Sequence, residues 1–363
     1  GSPCFGKNLA SAAATGILDV SPAWRIPVKL NLASRTVRYV FLAVVLVAVG
    51  TPAPADVITT GDVDPGGAST QPDPWAAGAQ LYVGRSGPGT LTVEAGGVVT
   101  NARGYLGYDS GATGEATVNG NGSLWDSSER LYVGQSGYGS LGIEAGGRVT
   151  TMHGYLGYDS VGTGKATVTG AGSAWDNSGR LRVWISGSGT LDIQAGGLVT
   201  NTEGYLGYFP GSTGEVNVNT EGQWDNSDDL FLGGDNLGTG GTGTLNLTNR
   251  GLVTVLGTTK LWSTGTLNLD GGTLTTGSFD NSDAGTFNFH DGVLNVNGPG
   301  GLFTPGTNSF SIDGDGPDDF PELAISNTAN FAVPGGLKIG AVSYTHLRAH
   351  ETDSYLVCRL LLE

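Results

Sequence analysis

A 50-residue repeat restricts the possible folds of this sequence more than any other feature. Leu81–Gly84, Leu131–Gly134 and Leu181–Trp184 begin three successive copies of it. The second half of each copy resembles the first half, so the structural unit is about half of one copy. Repetition at this length predicts a solenoid, in which each unit stacks on the one before and the core grows with the number of units.

Differences among the copies indicate which side chains face inward, because a packed interior tolerates fewer changes than a solvated surface. One strand position is Val98, Arg148 and Leu198 in the three copies, whereas the residue that follows it is valine each time. Such alternation with a period of two is typical of half-buried β-strands. We therefore expect Arg148 to point outward and Val149 to point inward. The same argument predicts a core that includes Leu91, Val93, Leu141, Ile143, Leu191 and Ile193.

The arrangement of strand sites and corners predicts the fold class. Each unit has three short strand sites separated by glycine-rich corners, and paired glycines such as Gly96 and Gly97 recur at a fixed phase. Glycine suits corners that need positive φ. We therefore predict an all-β fold, a single-stranded parallel β-helix or β-solenoid over residues 79–342, with about ten coils of roughly 20–26 residues. A meander of antiparallel hairpins is the competing architecture, but it does not require the same residue types at the same phase of every unit.

The residues before the repeats have features of export and of a domain boundary. Residues 35–55 have the layout of a signal peptide, with a positively charged start, the apolar run Val40–Val49 and small residues up to Ala55. The run is much shorter than the ~20 apolar residues that span a bilayer, so we expect no transmembrane helix in the mature chain. We interpret residues 1–34 as non-native or unstructured upstream sequence, and residues 56–78 as a linker or an N-terminal cap.

The last residues differ in character from the repeats. The glycine-rich pattern ends near Ser343, and residues 343–363 resemble translated adapter sequence. We interpret them as a non-native tail, with a short capping helix as the alternative. Cys4 and Cys358 lie in the two flanking segments, so we expect no stabilising disulfide.

The charge of the chain restricts its partners. The formal net charge is −16, and no basic stripe interrupts the acidic composition. Such a body repels phosphate backbones, so we expect no nucleic-acid partner.

An acidic loop is the best candidate for metal binding. Alternating carboxylates on a glycine-rich turn can surround a hard cation such as Ca²⁺. The loop offers Asp313, Asp315, Asp318 and Asp319. It lacks the full EF-hand pattern, and a solvated acidic loop is the alternative. The sequence predicts no other cofactor.

Aromatic residues recur once in each 50-residue copy. Tyr108, Tyr158 and Tyr208 form one such set, and a tryptophan near the end of each copy forms another. One interpretation is a row of rings that binds a glycan on an exposed face. The other is that the rings cover corners and bury apolar area, as large amphipathic rings usually do.

The repeat also resembles a known family. It runs LYVGxSGxGTLxIxxGGxVT and then YxGYxxGxxGxxxVxGxGSxW, closely over residues 80–234 and loosely over 240–340. This pattern resembles the repeat shared by autotransporter passengers and PEP-CTERM-associated proteins. The resemblance implies a protein of a Gram-negative-type bacterium that is secreted or held at the cell surface. It leaves the mode of attachment open.

These observations favour a non-catalytic protein. We expect an exported β-solenoid scaffold or adhesin-like protein of the bacterial surface or extracellular matrix, with extracellular polysaccharide or cell-surface components as partners. The alternative is a carbohydrate-binding or polysaccharide-degrading β-helix protein, with calcium as a cofactor. An enzyme needs convergent catalytic groups, but His153 and His290 have no Cys or second His at metal-ligand spacing. We expect no enzyme, and we expect any specialisation to lie in the irregular segment 303–325.

Overall fold

The computed structural model is a parallel β-solenoid, which confirms the predicted fold class. The residues that it describes are 56–183, 185–306, 310–312, 321–326, 330–331, 337–339, 345–349 and 355–362. Within these ranges every regular element is a strand, and no helix is long and apolar enough to cross a membrane.

Three short strands precede the first complete coil, and two of them pair antiparallel with it. They are β1 (Asp56–Gly61), β2 (Val63–Asp64) and β3 (Ser69–Gln71). β1 pairs antiparallel with the first coil on one side and with β3 on the other. These strands therefore cover a sheet edge whose free N–H and C=O groups would otherwise be open to pairing with another chain.

The next strands form the early coils of the stack. They are β4 (Trp75–Val83), β5 (Pro88–Glu94), β6 (Val98–Leu106), β7 (Thr113–Asn119), β8 (Leu124–Val133), β9 (Tyr138–Glu144), β10 (Arg148–Leu156), β11 (Thr163–Thr169), β12 (Ala174–Asn177), β13 (Leu181–Val183), β14 (Ser188–Gln194), β15 (Leu198–Asn201), β16 (Gly204–Leu206), β17 (Thr213–Val218), β18 (Gln223–Asn226) and β19 (Leu230–Leu232). Among β5, β7, β9, β11, β14 and β17, partners in adjacent coils, such as Asp192 and Asn217, are 25 residues apart in sequence. The same spacing relates Gly89, Gly114, Gly139, Gly164, Gly189 and Gly214. Each strand pairs in parallel with its counterpart in the next coil, which excludes the meander of hairpins.

The stack continues with coils of other lengths. Its strands are β20 (Thr242–Thr248), β21 (Leu252–Leu261), β22 (Gly265–Asp270), β23 (Gly272–Asp280), β24 (Thr286–Phe289), β25 (Gly292–Val296) and β26 (Leu302–Thr304). The last described strands are β27 (Phe310–Ile312), β28 (Glu322–Ser326), β29 (Asn330–Phe331), β30 (Leu337–Ile339), β31 (Thr345–Ala349) and β32 (Tyr355–Leu362). β28 pairs with β25 in parallel and with β32 antiparallel, so the described tail residues are strands rather than the capping helix considered above.

The coils form two stacks of strands. Sheet A has eleven strands, of which β3 and β1 pair antiparallel at one edge. The other nine pair in parallel in the order β5, β7, β9, β11, β14, β17, β20, β22 and β24. Sheet B contains the other strands of these coils and is bent, so that each coil contributes a first half and a second half to it. In the early coils a single strand passes through the bend with a shift in register, as β10 does between Thr151 and His153. Each coil therefore has the three strand sites that the sequence predicts.

One coil is longer than the predicted range of coil lengths. Asn217 and its partner Asn246 in the next coil are 29 residues apart in sequence. The following partners, Asn268 and Asn288, continue at spacings of 22 and 20 residues. The additional residues of the long coil form the loop 233–241 at a corner. The predicted range was wrong here because a corner can hold extra residues without moving the strands on either side.

Two hydrogen bonds fix this corner loop to the next coil. The indole nitrogen of Trp262 donates to the carbonyl oxygen of Asp235 over 2.8 Å. The hydroxyl of Thr264 donates to the carbonyl oxygen of Gly233 over the same distance. The long coil is therefore held by the coil that follows it.

The predicted inward and outward positions are confirmed. Val149 is fully buried, and Arg148 is exposed and paired with Asp176. The six residues predicted for the core are buried in one continuous apolar cluster: Leu91, Val93, Leu141, Ile143, Leu191 and Ile193. The paired glycines occupy corners, but only the first of each pair has a positive φ, such as +92° at Gly96. Ala95 precedes it with a φ of +54°, so the corner has two consecutive residues in the left-handed region.

Large and small residues alternate from coil to coil along the inner face of sheet B. The column of paired residues runs Trp75, Val99, Trp125, Val149, Trp175, Val199, Trp224 and Val253. A Cβ atom on Gly154 would lie 2.8 Å from the ring of Trp175, and the same close approach joins Gly104 to Trp125. Each of these tryptophans therefore extends over a glycine of the preceding coil. This size complementarity between neighbouring coils requires a 50-residue period even though one coil is only half as long.

Candidate functional site

Tyr108, Tyr158 and Tyr208 each lie half-buried at the corner between sheet B and sheet A. The ring of Tyr108 is nearly perpendicular to the rings of Tyr82 and Tyr105, with centroids 4.9 and 5.2 Å away. Tyr158 makes the same edge contact with the tyrosine three residues before it and with the partner of that tyrosine in the preceding coil. Tyr208 makes such a contact with the tyrosine three residues before it. These three rings therefore lie against other aromatic rings, which reduces the ring surface open to a sugar.

The rings that they cover form a column on the outer face of sheet B. Tyr82, Tyr105, Tyr132 and Tyr155 are paired residues of four successive coils, and their stacked centroids are 4.9, 5.0 and 4.9 Å apart. All four are buried although they point away from the core. Identical residues at the same register position stack at the distance between coils, so the column follows directly from the parallel pairing.

A cation continues the tyrosine column in the next coil. The guanidinium carbon of Arg182 lies 5.7 Å from the ring centre of Tyr155, 5.4 Å from that of Tyr205 and 4.8 Å from that of Tyr208. Phe231 then stacks on Tyr205 at 5.1 Å. Cation–π attraction and area burial thus stabilise this face over several coils.

The electrostatics of the column make its phenols poor acids. Burial is the main cause that raises the pKa of Tyr82, Tyr105, Tyr132 and Tyr205 above the usual tyrosine value. These hydroxyls therefore stay protonated at neutral pH, and the column suits packing better than acid–base chemistry.

A polar groove follows the bend between the two halves of sheet B. It consists of two adjoining hollows of about 530 and 390 Å³ that share Asn177, Ser178 and Thr200. It extends from Asp126 on β8 to Leu256 on β21. The groove therefore crosses six successive coils along the direction in which they stack.

Threonine and aspartate alternate along one side of this groove. The paired residues are Thr100, Asp126, Thr150, Asp176, Thr200, Asp225 and Thr254. The hydroxyl of Thr150 donates to Asp126 over 2.8 Å, and that of Thr200 donates to Asp176 over 3.0 Å. Because aspartate recurs in every second coil, the carboxylates lie roughly 10 Å apart at a coil spacing of ~4.8 Å.

The groove has polar atoms that lack a partner among the described residues. Asn226 is 1% exposed, and its side-chain nitrogen makes no hydrogen bond. Its neighbour in the next coil is Val255, whereas the amide nitrogen of Asn201 in the preceding coil bonds the Asn226 oxygen. The Oδ1 atom of Asp225 is also buried without a partner. The two atoms lie on opposite faces of β18, because Asp225 points outward and Asn226 points inward toward Asn201.

The candidate calcium ligands Asp313, Asp315, Asp318 and Asp319 lie outside the described residues. Within the described ranges, no group of three or more His, Cys, Asp or Glu side chains is placed to hold a metal ion.

The groove and the tyrosine column were not predicted from the sequence, although each has a signal in it. Thr150 and Asp176 occupy the same phase of successive coils, as do Tyr132 and Tyr155. A comparison at the coil length rather than at the 50-residue repeat would have aligned both pairs. The bend that makes the groove concave has no comparable sequence signal.

Comparison of the chain with protein-family models, with curated proteins and with solved structures gives no match.

Proposed function

We propose that this chain is an exported, non-catalytic β-solenoid scaffold or adhesin-like protein of the bacterial surface or extracellular matrix. The observation that carries the proposal is the continuity of the outer side-chain columns. The threonine–aspartate column extends over seven paired residues, and a continuous apolar core supports it. Repetition of one surface over many coils suits a protein that presents or binds extended material.

The longer coil supports this proposal rather than an enzyme. The acidic residue of its loop 233–241 is Asp235, whose Oδ1 accepts hydrogen bonds from the backbone N–H groups of Leu237 and Gly238. This carboxylate therefore fixes the conformation of its own loop.

A polysaccharide-degrading enzyme is the second candidate, and the aspartate column is the observation that favours it. Asp126, Asp176 and Asp225 recur at roughly 10 Å. Inverting glycosidases use two carboxyl groups about 6.5–9.5 Å apart, so the spacing lies just above that range. Both carboxylate oxygens of Asp176, however, are already engaged, one by Arg148 at 2.6 Å and the other by the Thr200 hydroxyl at 3.0 Å, so neither is free for a reacting sugar.

The test is incubation of the full chain with a panel of neutral and acidic polysaccharides, with and without Ca²⁺, followed by measurement of new reducing ends and unsaturated products. The proposal predicts no turnover above a heat-denatured control. Turnover that disappears in Asp176→Asn would replace the scaffold with the enzyme.

Export is part of the same proposal. It rests on the signal-peptide layout of residues 35–55 and on the resemblance to exported repeat proteins. Expression in a Gram-negative host should give a chain that begins near Asp56 outside the cytoplasm. An uncleaved chain that stays in the cytoplasm would contradict this part.

Calcium binding is proposed only for the acidic loop. If Asp313, Asp315, Asp318 and Asp319 hold Ca²⁺, then Ca²⁺ should raise the melting temperature and Asp315→Ala should abolish the rise. If Ca²⁺ leaves the melting temperature of the unsubstituted chain unchanged, calcium binding by this loop is contradicted.

A further inference from the structure

We propose that the groove at the bend of sheet B binds a neutral linear polysaccharide whose chain runs along the stacking direction of the coils. The proposal deepens the adhesin-like function and rests on it. The groove offers Asp126, Thr150, Asp176, Thr200 and Asp225 along one side.

The dimensions of the groove suit an extended chain. Six coils at ~4.8 Å each give a length of roughly 24 Å between the first and last strand. The hollows are open along this whole length and share residues in the middle, so a ligand can pass through without a break. A linear sugar chain of several units fits such a shape, whereas a compact small molecule would contact only one hollow.

The chemistry of the lining favours hydroxyl-rich ligands. Carboxylate, amide and hydroxyl groups accept and donate hydrogen bonds, and carboxylates bind hydroxyl donors more strongly than neutral acceptors do. Asp225 lies on the outward face of β18, and its Oδ2 atom accepts a hydrogen bond from the side-chain amide of Gln223 over 2.7 Å. A ligand hydroxyl can donate to this carboxylate in the same way.

Two exposed apolar side chains line the same groove. Met152 is 47% exposed in one hollow, and Leu256 is 68% exposed in the other. Sugar rings have apolar C–H faces as well as hydroxyl edges. Met152 and Leu256 therefore provide the apolar contact that the polar column lacks.

Charge and backbone pairing disfavour other ligands. Arg148 offsets the charge of Asp176, but Asp126 and Asp225 have no cationic partner among the described residues and repel acidic polymers. Burial together with Asp229 and Glu203 raises the pKa of Asp228, which follows the groove residue Ser227. The backbone of the groove strands is paired on both sides by neighbouring coils. A peptide therefore finds no free strand edge, and only its side chains could bind. A basic peptide is the remaining competitor, and the test includes it.

The experiment measures binding of the full chain to soluble neutral glucan, mannan and xylan, to polygalacturonate, and to an oligolysine peptide by titration calorimetry. The variants are Asp176→Ala, Asp225→Ala and their combination. Glu115→Ala is the matched control, because it removes one exposed carboxylate from sheet A. Circular dichroism and melting temperature show whether each variant folds.

We expect at least one neutral polysaccharide to bind, the double variant to weaken that binding tenfold or more, and Glu115→Ala to leave it unchanged. The proposal is overturned if no neutral polysaccharide binds, if the groove variants bind as well as the unsubstituted chain, or if only oligolysine binds. Loss of this proposal leaves the scaffold standing. Turnover of a polysaccharide in the groove would instead contradict the non-catalytic scaffold, while the groove would remain the binding site.

Discussion

The early coils and the later coils share a core but differ in what repeats on them. Up to β17 the partners in sheet A are 25 residues apart, as Asp192 and Asn217 are, and the coils alternate in pairs with tryptophan opposite valine. From β20 onward the spacings are 22 and 20 residues. The inner column there continues as Val253, Leu274 and Leu294. The stack of parallel strands is continuous across the boundary, so the fold requires only a coil of apolar strand sites, and the 50-residue period is an additional feature of one region.

The outer surfaces of the two regions differ in the same way. The early coils have the stacked tyrosines on sheet B. The later coils have a column of asparagines on sheet A, in which Asn246 donates to Asn217, Asn268 to Asn246 and Asn288 to Asn268, over 2.6–2.7 Å. Asn217 in turn donates to Asp192 over 2.9 Å, so the chain of amides ends at a carboxylate. Identical side chains thus stack in both regions, and only the residue type and the sheet differ.

The largest expected effect tests what the two regions share. Val149→Asp and Val253→Asp both place a carboxylate in the continuous core, where an unpaired charge costs several kcal/mol. We expect either substitution to prevent folding or to lower the melting temperature by more than about 10 °C. Arg148→Leu is the control, since the equivalent position of the next copy is Leu198. Tolerance of Val149→Asp together with damage by Arg148→Leu would reverse the inward and outward faces.

The next effect is specific to the early coils. A methyl group on Gly154 would lie 2.8 Å from Trp175 and 2.5 Å from the Asn177 oxygen, so Gly154→Ala should cost about 1–3 kcal/mol through overpacking. Gly142→Ala is the matched control on a neighbouring strand. A methyl group there meets nothing closer than 3.8 Å. Chemical denaturation of both variants measures the difference, and equal stabilities would contradict the account of the 50-residue period.

A gain of stability is expected where one copy departs from the others. Asn101 and Asn201 accept hydrogen bonds from the indoles of Trp125 and Trp224 over 2.6 Å. Thr151 occupies this position in the middle copy, and the indole nitrogen of Trp175 has no partner among the described residues.

Thr151→Asn should supply that partner and stabilise the chain by about 1 kcal/mol, because a buried donor regains its hydrogen bond. The reverse change Asn101→Thr should destabilise it by a similar amount. Thermal unfolding measures both, and a loss of stability in Thr151→Asn would show that the three copies are not equivalent at this position.

The smallest effect is on pH dependence. Burial, and then Arg182, Arg130 and Arg180, lowers the pKa of His153 below 6.5, and its Nδ1 atom accepts the backbone N–H of Arg180 over 3.0 Å. The folded chain therefore binds this proton less readily than the unfolded chain. The stability that His153 contributes is complete above the unfolded pKa of 6.5 and falls as the pH drops below that value toward the lower folded pKa.

His153→Asn keeps an acceptor for the Arg180 N–H and removes the titration. Its melting temperature should fall less between pH 7 and pH 5 than that of the unsubstituted chain. Parallel curves for the two chains over this range would show that His153 does not carry the effect.

The fold was largely predictable because the chain contains three copies of one repeat, whose equivalent positions can be compared with each other. Val98, Arg148 and Leu198 vary beside an invariant valine, and this was sufficient to assign the faces of the strands. The long coil between Asn217 and Asn246 was not predictable, because a corner loop such as 233–241 changes the spacing without changing any strand pattern. The period of the sequence pattern reflects the packing that repeats from coil to coil. A loop inserted at a corner does not change that packing, so the pattern does not reveal it.

The site was less predictable because it depends on neighbours in other coils. The sequence identified Tyr108 and its equivalents as candidates. It did not identify the rings against which they pack, such as Tyr82 and Tyr105, because these stack only when the pairing register between coils is known. The groove needs the bend of sheet B as well as the alternation of Thr150 and Asp176. The acidic residues proposed for calcium lie outside the described residues, so their role stays a prediction.

Cysteine cross-linking tests most directly the central claim that successive coils lie side by side in register. Thr117 on β7 pairs with Gly142 on β9, and both face outward. In a chain with Cys4→Ser and Cys358→Ser, the pair Thr117→Cys and Gly142→Cys has Cα atoms about 4.8 Å apart, within the range that a disulfide bridges. The pair Thr117→Cys and Glu144→Cys is displaced by two positions and exceeds about 7 Å, which a disulfide cannot bridge without backbone movement. We predict rapid and nearly complete oxidation of the first pair and little oxidation of the second. Equal oxidation of the two pairs, or a preference for the displaced pair, would contradict the register. The columns, the groove and the 50-residue period all depend on that register.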